Sequence, residues 1–132
     1  MPAKPDPSLL RGDYVRVVRE ALGLTRGELA DLLDVSFDTL RSWEANRRGT
    51  PPGVITQLQE IQDRHAREIT QALMDYPALR DEDGNLPVLT ITSGDASRPP
   101  GWQRRIAASI AHACSDLIVD DQARREAGGS QD

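Results

Sequence analysis

Few side chains in this sequence are of the types that catalyse reactions or bind metal ions. The two histidines, His65 and His112, lie on apolar-rich segments without a second ligand at metal spacing, which is typical of core or interface histidines. The single cysteine, Cys114, excludes an internal disulfide and a multi-cysteine zinc site. The acidic segment 81–85 resembles a calcium loop, but its glycine comes too early and no glutamate closes the loop. We therefore expect no enzymatic activity, no metal and no other cofactor.

Charge is divided unevenly along the chain. The net charge of −5 argues at first sight against a nucleic-acid partner. Residues 1–50, however, carry eight basic and eight acidic side chains, whereas residues 51–132 carry eight basic and thirteen acidic ones. Because a polyanion responds to the charge on one face and not to the total, nucleic-acid binding by the first part of the chain remains possible. The acidic second part is expected to face away from such a partner.

Length and composition set the class of protein. The 132 residues suffice for one domain, or one small domain plus an accessory element. Aromatic residues make up only 4% of the chain, so its core must consist mainly of Leu, Ile, Val and Ala. No apolar run approaches the roughly 20 residues that a membrane helix needs, and the N-terminal segment lacks the basic-plus-apolar pattern of a secretory signal. We expect a cytoplasmic protein that does not contact membranes.

Helical periodicity dominates the start of the chain. Apolar residues recur at spacings of three and four over residues 9–22, which predicts an amphipathic helix, and Gly23 suits its left-handed cap. Thr25 and Glu28 have the spacing of a capping box, so a second, short helix is expected to begin there. Residues 1–8, with three prolines, are expected to form an N-terminal arm.

The segment 26–45 meets the packing demands of a helix-turn-helix. Ser36 is a good N-cap for a third helix over residues 37–46. Asp34 stands in the tight turn, where glycine is common and Asp is tolerated. The positions that must be apolar or small are occupied by Leu29, Ala30, Leu33, Val35, Leu40 and Trp43. The pattern predicts a helix pair in which the second helix lies across the first.

These residues resemble one family closely. The run Leu24-Thr25-Arg26-Gly27-Glu28-Leu29-Ala30, followed by Val35-Ser36 and Trp43-Glu44, is similar to the helix-turn-helix of phage-repressor-like (Cro/C1, also called Xre) proteins. The resemblance covers about residues 9–60. It implies a lambda-repressor-like helical bundle that binds double-stranded DNA.

The resemblance also implies which residues would meet DNA. In this family the second helix of the motif enters the major groove, and its first half meets base edges. Arg26 would touch a phosphate, and the residues after the reading helix would meet the backbone. The implied DNA-binding residues are Arg26, Ser36, Phe37, Asp38, Thr39, Arg41, Ser42, Asn46, Arg47 and Arg48.

Three of the residues in this segment have two possible roles. Asp38 can accept a hydrogen bond from a cytosine amino group, or it can brace Arg41, which suits guanine. Phe37 can touch a thymine methyl or pack against a neighbouring loop. The position of Trp43 suggests core support for the reading helix, with base stacking as the alternative.

The second half of the chain has a coarser pattern. Periodicity, β-branched residues and turn signals predict, in order, a long helix over 53–76 closed by Pro77, a short edge strand over 86–92, a helix over 102–119, and a polar, disordered tail over 120–132. The predicted fold class is mainly α: a helix-turn-helix domain over 9–60 and a helix-strand-helix dimerisation region over 61–119.

A dimer is expected because one reading helix covers too few base pairs for useful specificity. Two copies related by a dyad would read the two half-sites of a palindromic operator. The apolar face assigned to the dimer interface comprises Trp102, Ile106, Ile110, Cys114 and Leu117. The alternative is that this face packs only on residues 61–76 and the strand of its own chain.

The layout of the whole chain is similar to that of the YdiL-like and anti-CRISPR-associated regulators. This second resemblance depends on the order of elements and on Gly101-Trp102 at the start of the last helix. It implies a homodimeric autorepressor of a short operon. The alternatives are an antitoxin-like module whose second half binds a protein partner, and a basic face that binds structured RNA.

Overall fold

The computed structural model describes residues 7–129 and divides the chain into two compact units, Met1–Asp63 and Arg64–Asp132. The described elements are, in order, α1 (Pro7–Ala21), α2 (Arg26–Leu33), α3 (Phe37–Glu44), α4 (Pro52–Asp75), a 3₁₀ helix (Tyr76–Leu79), β1 (Leu89–Ile91), α5 (Pro100–Ala113), β2 (Val119–Asp121) and α6 (Gln122–Gly129). The boundary between the units lies within α4. The chain is therefore mainly helical, with a small strand pair in the second unit.

The first helix begins earlier than its apolar pattern predicts. Helix α1 starts at Pro7, whereas the sequence indicates a start at Leu9. Proline suits the first turn of a helix because its fixed φ is helical and its missing N–H would be unpaired there. The predicted arm over residues 1–8 is thus wrong for Pro7 and Ser8, and residues 1–6 lie outside the described part.

Leucine, valine and tryptophan side chains from four helices form the core of the first unit. Helix α3 packs against both α1 and α2. The buried apolar residues of this unit include Val15, Val18, Leu22, Leu29, Ala30, Leu33, Leu40, Trp43, Val54 and Leu58. All the positions that the helix-turn-helix pattern requires to be buried are in this set, except Val35, which is half-buried. Each large side chain buried here contributes about 1.5–3 kcal/mol to folding.

The turns of the first unit have the predicted chemistry. The Thr25 hydroxyl accepts from the Glu28 backbone N–H at 3.1 Å, and the Glu28 carboxylate accepts from the Thr25 N–H at 2.8 Å, which completes the capping box. Gly23 and Asp34 both adopt left-handed backbone conformations, with φ of 74° and 55°. The short turn between α2 and α3 depends on the left-handed conformation of Asp34, which is the C-cap of α2.

Helix α3 is two residues shorter than predicted. It ends at Glu44, because Asn46 takes a left-handed conformation with φ of 56°. The backbone N–H groups of Arg47 and Arg48 then return to the Ser42 carbonyl, at 3.0 and 3.3 Å. Asparagine tolerates this conformation better than most residues, so it can end the helix much as glycine does.

Gly12 lets α1 approach the end of α3 closely. A Cβ built at this position would lie 2.0 Å from the Trp43 carbonyl oxygen and 2.3 Å from the side-chain oxygen of Asn46. No side chain fits in that space. The glycine therefore sets how deeply α1 packs across the reading helix.

The second unit contains a strand–helix–strand arrangement. β1 and β2 pair in parallel, with Leu89 opposite Val119 and Ile91 opposite Asp121. Helix α5 connects them, as parallel strands require. Ile91 is buried with Ala107 of α5 and Ala123 of α6 in a small core.

Strand β1 is shorter than the predicted segment 86–92. The side chain of Gln103 forms two hydrogen bonds with the backbone of Thr92. It accepts from the Thr92 N–H at 3.0 Å and donates to the Thr92 carbonyl at 3.1 Å. This pairing replaces a strand partner and ends β1 after Ile91. At the other end, the backbone carbonyl of Pro87 accepts from the Tyr76 hydroxyl.

The structure corrects the predicted helix over 102–119. Helix α5 begins two residues earlier, at Pro100, and ends at Ala113 because Cys114 turns to an extended conformation with φ of −128°. The predicted range left Pro100 outside the helix, although proline is favourable in a first helical turn. The apolar residues after Cys114 do not continue the helix.

The structure also corrects the predicted disordered tail. Val119–Asp121 form β2 and Gln122–Gly129 form α6. Acidic residues are weak strand formers, so local pattern argued against this strand. Tertiary contacts stabilise it: Asp121 accepts from Arg104 at 2.8 Å and from the Arg124 backbone N–H at 3.0 Å, which caps α6. Residues 130–132 of the predicted tail lie outside the described part.

Candidate nucleic-acid interface

Helix α3 has one buried flank and one open flank. Leu40 and Trp43 anchor it in the core, with 0% and 4% of their surfaces exposed. The burial of Trp43 agrees with core support and not with base stacking. Phe37, Asp38 and Arg41 face outward on the other side. Phe37 is 48% exposed, so it is not packed beneath a neighbouring loop.

The start of α3 presents two hydroxyl groups. The Ser36 side chain accepts from the Thr39 backbone N–H at 3.1 Å and donates to the Thr39 hydroxyl at 2.9 Å. Ser36 is therefore committed to capping the helix. The Thr39 hydroxyl accepts in this pair, which leaves its own hydrogen free to donate to a base or a phosphate.

Asp38, Arg41, Ser42 and Arg47 line a shallow polar depression on the open flank. Among the described residues, Asp38 makes no ion pair with Arg41, so it does not brace that arginine in the free protein. The side chains of Arg41 and Arg47 also lack a described partner. Both guanidinium groups are thus available to hydrogen-bond acceptors outside the protein, and Asp38 is available to donors.

The turn after α3 holds two further arginines and one tethered amide. Arg47 and Arg48 are exposed, and their side chains contact no hydrogen-bond partner in the described range 7–129. The side chain of Asn46, by contrast, donates to Asp13 at 3.2 Å. Asn46 therefore fixes the turn to α1, whereas the two arginines remain open to backbone phosphates.

Arg26 lies at the first turn of α2 and is held at one point. Its Nε donates to Glu44 Oε1 at 3.2 Å, while 45% of its side chain remains exposed. The backbone N–H groups at the start of α2 point to the same end of that helix, where the helix dipole favours negative charge. The position thus suits a phosphate group.

Glu44 is a functional candidate that the sequence reasoning missed. Its carboxylate is 2% exposed and receives two hydrogen bonds from Arg19, at 2.8 and 3.1 Å, besides the one from Arg26. Arg19 also donates to the Leu24 carbonyl at 3.0 Å. No local signal in the sequence indicates this burial, because a charged residue next to a core position is commonly exposed, as Arg41 is next to Leu40.

The structure corrects the predicted dimer interface in the second unit. Trp102, Ile110 and Cys114 are buried within the chain, with 0%, 2% and 7% of their surfaces exposed. Ile106 and Leu117 are half-buried. The alternative, packing within one chain, holds for the three buried side chains, which are not available to a partner.

Trp102 is held by a polar cluster from α4. Its ring lies edge-on to His65 with centroids 4.2 Å apart, and the Arg64 guanidinium lies 4.2 Å from its ring centre. Its Nε1 donates to Glu68 at 3.1 Å, and Glu68 also accepts from Arg98 at 2.9 Å. Burial alone would raise the pKa of Glu68, but the hydrogen bonds from Arg98 and Trp102 outweigh it and lower the pKa.

His65 has a structural partner. It is 6% exposed and its Nε2 lies 3.2 Å from the Trp102 carbonyl oxygen. Burial lowers its pKa below the ordinary value of 6.5, although the hydrogen bond to Trp102 and the charge of Glu68 oppose the shift. Within residues 7–129, no group of three or more His, Cys, Asp or Glu side chains is placed to hold a metal ion.

The segment 81–85 closes on itself. The Asp81 carboxylate accepts from the backbone N–H groups of Asp83 and Asn85, at 3.0 and 2.9 Å, and Gly84 is left-handed with φ of 82°. These bonds are those of an ordinary turn, in which an aspartate side chain caps the backbone that follows it.

Comparison with known proteins identifies the first unit. A family model described as Helix-turn-helix matches residues 15–61, which contain α2, α3 and the arginines around them. Over these residues the chain is similar to helix-turn-helix domains of the Cro/C1 type. No curated protein and no solved structure matches the chain. This match supports DNA binding by the first unit in a general sense. No described helix is long and apolar enough to cross a membrane.

Proposed function

We propose that this protein is a homodimeric transcriptional repressor that reads an inverted repeat in double-stranded DNA. The observation that carries the proposal is the open flank of α3, where Phe37, Asp38 and Arg41 face outward with no described partner. A helix anchored on one side by Leu40 and Trp43 and bare on the other fits the major groove.

Sequence would be read by the first half of α3. Arg41 has the fork that pairs with O6 and N7 of guanine, and Asp38, not engaged by Arg41, suits the amino group of cytosine. Phe37 offers an exposed ring to a thymine methyl. The neighbouring hydroxyls of Thr39 and Ser42 add donors and acceptors on the same side.

Affinity would come from the phosphate backbone. Arg47 and Arg48 follow the C-terminal end of α3, and Arg26 lies at the N-terminal end of α2, so they are available at two places along the domain surface. Phosphate contacts set the register of a protein on DNA but carry no sequence information. The excess acidic charge of the second unit would not contribute to affinity, because it repels the phosphates.

Dimer formation would double the site that is read. An eight-residue α3 spans few base pairs, and two copies related by a dyad would read two half-sites. Since Trp102, Ile110 and Cys114 are buried, we assign the interface to the exposed side chains Val88 and Ile118 instead. The register of the strands places these two residues side by side, just before β1 and β2.

Repression is inferred from the resemblance of the sequence to regulators of short operons, and the protein would act on its own promoter. The cytoplasm would be its site of action, and no catalysis, cofactor or membrane is part of the proposal. The exposed apolar residues near the strands favour one alternative: a protein partner, as for an antitoxin, in place of the second copy.

Selection of bound duplexes from a random-sequence library tests the proposal. We expect enrichment of an inverted repeat whose half-sites are spaced by about one or two helical turns. Enrichment of a single, unrepeated half-site would contradict the dimer. Failure to enrich any sequence, together with preferential binding of hairpin RNA over duplex DNA, would contradict the DNA-reading function.

A further inference from the structure

The carboxylate of Glu44 connects the end of the reading helix to two arginines. Its oxygens are buried and accept three N–H groups, two from Arg19 and one from Arg26. A buried carboxylate is costly unless it is paired and hydrogen-bonded. Arg19 meets that need by itself, because its Nε and Nη2 form a two-point contact with both oxygens and its Nη1 is fixed on Leu24.

The hydrogen bond from Arg26 is therefore not needed to satisfy the Glu44 carboxylate, but it restricts the Arg26 side chain. Arg19 is 12% exposed and confined, whereas Arg26 is 45% exposed. Only Nε of Arg26 is bonded to Glu44; its two terminal nitrogens make no hydrogen bond with any described residue. An exposed arginine with one anchored nitrogen loses part of its rotamer freedom before a ligand arrives.

The two arginines that contact Glu44 differ in position. The Arg19 guanidinium also lies 4.0 Å from the Glu20 carboxylate, so its charge is shared between two carboxylates. The Arg26 guanidinium is the outer one, and it belongs to the residue at the start of α2. The Thr25 hydroxyl already occupies the Glu28 N–H, so the N–H groups of Arg26 and Gly27 remain for an anion. The terminal nitrogens of Arg26 and this helix end can meet the same phosphate.

We propose that Glu44 is a positioning residue for DNA binding: it holds Arg26 by Nε so that the terminal nitrogens face a backbone phosphate. This inference depends on the proposed DNA-binding function and deepens it. Because Glu44 is the last residue of α3, the contact ties the phosphate anchor on α2 to the helix that reads the bases. The anchor and the reading surface then move as one body.

Single-phosphate neutralisation tests the role. The probe is the duplex enriched from the random library, made with one methylphosphonate at a time. The phosphate whose neutralisation weakens wild-type binding, but not the binding of Arg26→Gln, is the Arg26 phosphate; the same comparison with Arg48→Gln identifies a control phosphate. We expect a loss of about tenfold for wild type at each.

The variant Glu44→Gln should lose little on neutralisation of the Arg26 phosphate, under about twofold, while its loss at the Arg48 phosphate stays at the wild-type level. A purely structural role would change both phosphates together or neither. An equal, wild-type loss at both phosphates would overturn the proposal. If wild type itself binds no selected duplex, the proposed function fails, which is a distinct result.

A second variant keeps the test valid if Glu44→Gln does not fold. Arg26→Lys leaves the pair of Glu44 with Arg19 intact and keeps the positive charge. Lysine has a single nitrogen, however, so it cannot be held on Glu44 by one nitrogen while two others face a phosphate. We expect it to lose sensitivity at the Arg26 phosphate almost as fully as Arg26→Gln does. Wild-type sensitivity in Arg26→Lys would show that charge alone suffices and would overturn the proposal.

Discussion

The arginines around α3 differ in how firmly the protein holds them. Arg19 is locked on Glu44, Arg26 is held at one nitrogen, and Arg41 and Arg47 have no described partner. All three nitrogens of Arg19 are hydrogen-bonded, so this arginine would have to break a bond to meet DNA. Arg41 and Arg47 would give up only water, and Arg26 can use its two terminal nitrogens while Nε stays on Glu44. These differences separate positioning from reading at the level of single side chains.

Replacement of Arg41 by Ala should reduce specific binding selectively. A two-point contact with guanine contributes about 1–3 kcal/mol of discrimination, so we expect a loss of that size on the selected duplex and little loss on random duplex. Competition binding assays with both duplexes measure the difference. Equal losses on the two duplexes would assign Arg41 to the backbone.

Arg47→Ala provides the matched control, since Arg47 lines the same depression as Arg41. We expect it to weaken binding to both duplexes alike. Its plot of log affinity against log salt should be less steep by about one unit, because one fewer counterion is released. A selective loss on the selected duplex would instead place Arg47 among the reading residues.

His65 predicts a loss of stability in mild acid. Its pKa is lowered in the folded state by burial, opposed by the bond to Trp102 and the charge of Glu68, while the charges of Arg64 and Arg105 lower it further. The unfolded chain therefore takes up a proton near pH 6.5 that the folded chain resists. The free energy of unfolding is therefore unaffected by protonation of His65 above pH 6.5, and it decreases as the pH falls below 6.5.

Urea unfolding at pH 8 and pH 5.5 tests this. We expect the wild type to lose stability between the two pH values and the variant His65→Gln to lose less. His112→Gln, which changes the other histidine and retains His65, should behave as the wild type does. A pH dependence that survives unchanged in His65→Gln would assign it to other groups.

At the level of elements, close packing of α1 on α3 depends on a missing side chain. The carbonyl of Trp43 and the side chain of Asn46 occupy the space that a Cβ at Gly12 would need. Both groups belong to the segment that ends the reading helix and starts the arginine turn. The close packing of α1 against this segment therefore determines the shape of the candidate interface.

Gly12→Ala should destabilise the first unit. Alanine is the better helix former by about 1 kcal/mol, but the 2.0 Å approach to the Trp43 carbonyl forces backbone movement, so we expect a net loss of about 1–3 kcal/mol. Gly53→Ala is the matched control, because nothing lies within 4 Å of the Cβ that it would add to α4. Thermal unfolding of the two variants measures the difference in stability between them. Equal stability of Gly12→Ala and Gly53→Ala would mean that α1 can move away from α3 without loss of stability.

The helices of the first unit could be predicted from the sequence because their signals are local. Apolar spacing, the Thr25 capping box and the Asp34 turn all act within a few residues, and each occurs as predicted. The open flank of α3 follows from the same periodicity. The bond between Glu44 and Arg26 could not be predicted, because it joins residues eighteen apart whose approach depends on tertiary packing.

The second unit was harder to predict for the same reason. β2 contains two aspartates and pairs with a strand thirty residues earlier, so its stability comes from distant partners and not from its own pattern. The apolar face of α5 was recognised, but sequence periodicity does not distinguish a face that packs within the chain from one that meets a second copy. Only the burial of Trp102 and Ile110 decided between them.

At the scale of the whole molecule, each unit has a distinct surface. The first unit has the exposed arginines of the DNA-binding domain, and the second unit combines excess acidic charge with exposed apolar side chains near its strands. Ile118 is 64% exposed and Val88 52%. A two-stranded sheet also leaves an outer edge on each strand open to further pairing.

We therefore expect Ile118→Glu to convert a dimer to a monomer. A buried charge at an apolar contact is costly, whereas on a solvent-exposed surface it costs little, so the variant should fold but not associate. Ala108→Glu adds the same charge at an exposed position of α5 and is the control. Sedimentation equilibrium at several protein concentrations gives the masses.

DNA binding then separates dimer formation from domain folding. A monomeric Ile118→Glu protein keeps α3 and its arginines, so it should bind an isolated half-site as the wild type does and lose its advantage on the inverted repeat. Ala108→Glu should retain that advantage. A wild-type protein that sediments as a monomer, both free and on the inverted repeat, would contradict the dimer and leave the exposed side chains near the strands to a protein partner.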